Sequence, residues 1–253
     1  MGSGAWRFVN WKTFRWALAL ILALGWSVPP RSVLAQASAD RSSSQVAAKA
    51  RNHPTAIPEA RLTLRVYNYA RVDPVSLTSS ERVAGAVFES VGIQAVWVDC
   101  PTSPQKSQAY PACDSEMGTT DLILRILPRR MAVKLRRSND SLGSAQTCPE
   151  TEPACELTVF YHRVDELAAN GYRADLILGH VIAHEVAHVL LGPRHSDEGI
   201  LRAAWSPSDL QRISLGMHLD FSTDQSRQLR LAVVRRTTPP TQGITIQANL
   251  IAR

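Results

Sequence analysis

The stretch Leu176–Pro193, LILGHVIAHEVAHVLLGP, decides how this chain is read. It is apolar nearly all the way round a 3.6-residue period, the pattern of a helix buried on every side. Asp175 is a good N-cap for it, and Gly192-Pro193 stops it, because glycine can take the left-handed cap and proline cannot continue a helix. Besides His180, three ionisable side chains interrupt the apolar run: His184, Glu185 and His188, in the order H-E-x-x-H. Histidines four apart project from one face, so both imidazoles can bind one tetrahedral metal ion. Glu185 is offset by about 100° around the axis, within reach of a water that the metal activates. Burying all three side chains without partners would be costly, and one metal ion accounts for them together. The alternative is a pair of core histidines bonded to carbonyls, with Glu185 in an ion pair.

A catalytic zinc site takes a third protein ligand and keeps its fourth position open. His195 is the leading candidate, since the chain can turn at Gly192-Pro193 and return a side chain to the metal. Asp197 and Glu198 are alternatives. His180 lies one turn before His184 and would need a wider arc of the helix to join the others, so it reads as a core or supporting histidine. His162 reads as a surface residue on a strand. Zn²⁺ is the expected ion, because imidazole ligands in an exported H-E-x-x-H protein favour it.

The segment His184–Trp205, HEVAHVLLGPRHSDEGILRAAW, resembles the zinc-binding region of the metzincin metallopeptidases, especially the matrixin-like ones. Their pattern is H-E-x-x-H-x-x-G-x-x-H followed by a methionine turn. His184, Glu185 and His188 match it directly. Gly192 and His195 keep the Gly-x-x-His spacing, but the segment before Gly192 is one residue longer, and Leu191 stands where glycine is expected. Leu201 stands where the turn methionine would be; leucine is similar in volume and preserves an apolar floor, with Met217 as another candidate. Trp205-Ser-Pro-Ser-Asp209-Leu210 is similar to the start of the matrixin C-terminal helix. The resemblance covers about 61–215. It implies zinc held by His184, His188 and His195, Glu185 as general base, and a protein or peptide substrate lying along an edge strand near Leu142–Gln146.

Working outward, Arg61–Tyr69 alternates as a strand, Ser76–Val91 has helical spacing with Gly92 as its cap, and Gln94–Val98 is a second strand ending at Asp99-Cys100. Asp121–Leu127 is nearly all apolar and reads as a strand buried on both faces. Leu142–Gln146 reads as a short edge strand and Cys155–Tyr161 as another strand. Beyond the metal helix, further helices are expected at Asp209–Leu215 and about Thr223–Val234. The expected class is α+β, with α/β-like order: a mixed twisted sheet with one antiparallel edge strand, the active-site helix and C-terminal helices, as in the metzincin-like zincin fold.

The chain has 253 residues, with 28 Lys and Arg against 22 Asp and Glu. Residues 1–35 contain Arg7, Lys12, Arg15 and Arg31 and no acid, which leaves 24 basic against 22 acidic from residue 36 on. So small an excess is no polyanion-binding signature, and a nucleic-acid partner is not expected. The basic residues precede the apolar stretch Trp16–Val28, and Val33-Leu34-Ala35, or alternatively Ala37, suits a signal peptidase. Residues 1–35 therefore read as a secretory signal, with an uncleaved anchor as the alternative, and the body as secreted or periplasmic. Residues 36–58 read as a flexible lead-in, 59–236 as the metzincin-like catalytic domain and 237–253 as a disordered tail. No run after residue 35 is expected to span a bilayer.

Cys100, Cys113, Cys148 and Cys155 make an even count, which in an exported chain favours two disulfides. Nearest-neighbour pairing would close two loops, but the sequence leaves all three connectivities open. P-loop, dinucleotide-binding and G-x-S-x-G signatures are absent. The leading expectation is a zinc-dependent endopeptidase. A catalytically inactive zinc-stabilised binding module is one alternative. An envelope-associated adhesion protein, touching anionic surfaces through Arg227–Arg236, is another.

Overall fold

The computed structural model describes residues 60–103, 110–135 and 141–237. The expected signal, the lead-in and the tail beyond Thr237 lie outside the described residues. The elements run β1 (Ala60–Asn68), α1 (Pro74–Ser90), β2 (Ile93–Cys100), α2 (Pro111–Asp114), β3 (Asp121–Leu127), α3 (Arg129–Ala132), β4 (Gly143–Ala145), β5 (Cys155–Phe160), α4 (Tyr161–Ala169), α5 (Ala174–Leu191), α6 (Pro207–Ser214) and α7 (Thr223–Thr237). The sheet order is β2-β1-β3-β5-β4. All pairs are parallel except β4 with β5, so the sheet is mixed with one antiparallel edge, as the sequence pattern implies.

In β1, Leu62, Leu64 and Val66 alternate into the core. Arg65 is also buried, and its guanidinium donates to the carbonyls of Cys113, Ser115 and Glu116 while pairing with Asp121. It therefore binds the 113–121 loop to β1. Helix α1 starts two residues before the expected point because Asp73 caps it, accepting from the amides of Val75 and Ser76, with Pro74 in the first turn. It packs on α5, where Gly179 allows close approach: a Cβ there would stand 2.6 Å from the carbonyl oxygen of Ser80.

Helix α5 has the 18 residues and the mean hydropathy, 1.4, of a membrane span, which corrects the expectation that no such run follows residue 35. Here it is a core helix, with its middle buried against α1, the sheet and α7. Its N-cap is Arg173 rather than Asp175. Asp175 lies in the first turn, pairs with the Arg173 guanidinium and accepts from the Ser79 hydroxyl. A carboxylate there also suits the positive end of the helix dipole.

A second correction concerns His162. The strand ends at Phe160, and Tyr161–Ala169 is helix α4, so His162 is helical. Tyr161, Val164 and Leu167 recur every three residues, and Val164 is fully buried. Helix α6 begins at Pro207 because Ser206 and Asp209 form a reciprocal capping box. Disulfides join Cys100 to Cys113 and Cys148 to Cys155, with Cα separations of 5.7 and 6.0 Å. Two disulfides suit an oxidising compartment.

Candidate metal centre

The structure brings His184, His188 and His195 together. His188 Nε2 lies 2.9 Å from His184 Nε2 and 3.2 Å from His195 Nε2. Their outer nitrogens explain the convergence. His184 Nδ1 bonds the carbonyl of Ile200 at 2.7 Å, and His188 Nδ1 bonds that of Gly192 at 2.9 Å. A carbonyl only accepts, so both Nδ1 atoms carry the proton and both Nε2 atoms present lone pairs. Burial lowers the pKa of His184 to about 4 and that of His188 below its ordinary value, so both rings stay neutral at neutral pH. Facing lone pairs repel unless a cation lies between them. The donor set therefore fits a metal ion, and these three residues form a group able to hold one.

The extra residue before Gly192 is absorbed locally. Helix α5 runs to Leu191, the Gly192 amide donates to the His188 carbonyl, and Gly192 takes φ +96°, which frees the chain to reverse. His195 still arrives at the cluster. Asp197 and Glu198 are not in the group, and neither is His180. His180 is 1% exposed and uses both ring nitrogens elsewhere, Nδ1 on the Leu176 carbonyl and Nε2 on the Leu219 amide. Leu201 is buried, whereas Met217 is 44% exposed.

Glu185 is 5% exposed, and burial pushes its carboxyl up to about 8. It lines a cavity of about 590 Å³ that also contains the three histidines. One wall is an α5 stripe, Val181, His184, Glu185 and His188; the facing stripe is Arg163, Glu166, Leu167 and Asn170. Both follow the i, i+3, i+4, i+7 spacing of one helix face. Edge strand β4 and the turn Arg202–Trp205 complete the enclosure. The sequence reading missed the α4 stripe, whose spacing was available, and it missed Gly143. A Cβ on Gly143 would collide with the Glu185 carboxyl, a long-range contact with no local signal.

No family model matches the chain, and no curated protein matches it. Among solved structures, metalloproteinase-II from Bacteroides fragilis is similar with a TM-score of 0.44 and 12% identity. The match covers 71% of this chain and 55% of that one, so this chain spans about half the length of that protein.

Proposed function

We propose that this protein is an exported, metzincin-like zinc endopeptidase, with His184, His188 and His195 as metal ligands and Glu185 as general base. The observation that carries the reading is the convergence of three imidazoles beside the buried Glu185 carboxyl in one open cavity. When bound, Zn²⁺ supplies Lewis acidity, which polarises a carbonyl and makes water a better acid. The protein's own groups do the rest. The Ile200 and Gly192 carbonyls hold the His184 and His188 rings in the tautomer that leaves Nε2 free.

Burial favours the neutral form of Glu185, and a nearby cation opposes this by favouring the carboxylate. As a carboxylate, Glu185 takes a proton from the attacking water and later delivers it to the departing amine. A peptide would pair with the side of β4 away from β5, where no strand lies among the described residues. The cavity between α5, α4 and the Arg202–Trp205 turn would receive a substrate side chain. The disulfides and the basic, then apolar, leader support export.

Purified 36–253 should hydrolyse denatured casein, lose the activity in chelator and regain it with added zinc. A folded, zinc-bound protein that cleaves no unstructured polypeptide would contradict the proposal.

A further inference from the structure

His180 is the third imidazole of α5, beside His184 and His188, and the proposed reaction does not use it. Both its ring nitrogens are committed. Nδ1–H donates to the Leu176 carbonyl at 2.8 Å, so Nε2 is unprotonated and accepts the Leu219 amide at 3.2 Å. The residue after Leu219 continues the connection: the Asp220 carbonyl accepts the Ile200 amide at 3.1 Å. The two segments close tightly there, because a Cβ on Gly199 would collide with that same carbonyl oxygen. Gly199 also has φ +70°, in the left-handed region. On its other side, Ile200 presents its carbonyl to two donors, His184 Nδ1 at 2.7 Å and Trp205 Nε1 at 3.1 Å. The Trp205 ring stands edge-on to both His180 and His184, with centroids 6.3 and 6.0 Å away.

Two histidines one turn apart thus grip opposite ends of a single strap, Leu219–Asp220 against Ile200. His180, Ile200 and Leu219 are all buried, so water does not compete for these bonds. We infer that His180 is a positioning residue for the three-histidine centre: by anchoring the strap through Nε2, it fixes the carbonyl that orients the His184 ring. This rests on the reading of those histidines as a metal centre. Partners that orient a metal-binding histidine typically change metal affinity about 10–100-fold when removed.

The two ring nitrogens can be tested separately. In His180→Asn, the short amide reaches only the Leu176 side. In His180→Gln, the longer side chain places a carbonyl oxygen where Nε2 accepts from Leu219. Gly199→Ala separates the strap from the opposite segment without changing His180. Each variant is titrated with Co²⁺ against a competing chelator, with the visible absorption of bound Co²⁺ as the report on ligand arrangement and thermal unfolding as the check on folding.

The expected result is affinity reduced about 10-fold or more in His180→Asn, with an altered spectrum, and near-complete recovery in His180→Gln. Gly199→Ala should behave like His180→Asn, and it decides the matter if the asparagine variant does not fold. A folded His180→Asn protein with unchanged affinity and spectrum overturns the inference, as does a glutamine variant as weak as the asparagine one. Wild type that binds no Co²⁺ overturns the metal centre itself, and the strap's role with it.

Discussion

Gly143 lies over Glu185 with no room for a side chain: a Cβ there would stand 2.5 Å from Oε1 and 2.6 Å from Cγ. The edge strand proposed to bind peptide therefore also sets the position of the proposed base. Gly143→Ala must displace either the carboxylate or β4. A misplacement of about 1 Å can cost about 100-fold in rate. Casein hydrolysis should fall on that order while zinc content by elemental analysis stays at the wild-type level.

Gly179 serves a purely structural purpose. Its missing Cβ lets α5 approach the Ser80 carbonyl and Val83 of α1, both within 2.7 Å of where that atom would lie. The nearest obstacle is backbone and cannot rotate away. Gly179→Ala should destabilise the fold by about 1–3 kcal/mol, read as a lower midpoint in thermal or urea unfolding.

Glu81 makes stability pH-dependent. Burial, with the Asp99 carboxylate beside it as the second cause, pushes its pKa from 4.5 up to about 8, and its Oε1 has no hydrogen-bond partner. Below about pH 4.5 both folded and unfolded chains hold the proton. Between there and about pH 8 the unfolded chain releases it while the native one keeps it, so this contribution to stability is lost as pH rises. Glu81→Gln removes the ionisation, and its melting temperature should gain on wild type progressively from pH 4.5 to 8. A constant difference across that range would contradict the assignment.

Metal should stabilise the fold by mass action. At a free zinc concentration about 100 times the dissociation constant, the gain is about 2.7 kcal/mol, provided the unfolded chain does not bind it. Differential scanning fluorimetry should show a zinc-dependent rise in melting temperature for wild type. The rise should be lost in His188→Ala, which removes the nitrogen lying nearest to both other histidines.

What the sequence made legible follows from the range of each interaction. His184, Glu185 and His188 could be read because helix periodicity alone sets their relation. Strand β1 could be read from its alternation and β3 from its apolar run, while Leu142–Gln146 falls where the resembled enzymes have an edge strand. Helix α4 was hidden because the strand pattern of Cys155–Phe160 runs straight into Tyr161, without a turn residue between them. The start of α5 was misplaced because Asp175 is a plausible cap in isolation, yet its partners are Arg173 and Ser79, the latter on α1. Gly143 against Glu185 and Gly199 against Asp220 are tertiary contacts, invisible until the chain is folded. The disulfide pairing was open for the same reason. The one-residue extension before Gly192 looked like a break in the zinc pattern, but the longer helix and the positive φ of Gly192 accommodate it.

Glu185 is proposed to do chemistry at a centre held by His184, His188 and His195. Hydrolysis of denatured casein by wild type and Glu185→Gln, each shown to contain one zinc per chain, tests it most directly. Wild type should cleave the casein, and the variant should lose at least about 100-fold, the low end for removal of a general base, with zinc content unchanged. Equal cleavage by the two proteins would contradict it.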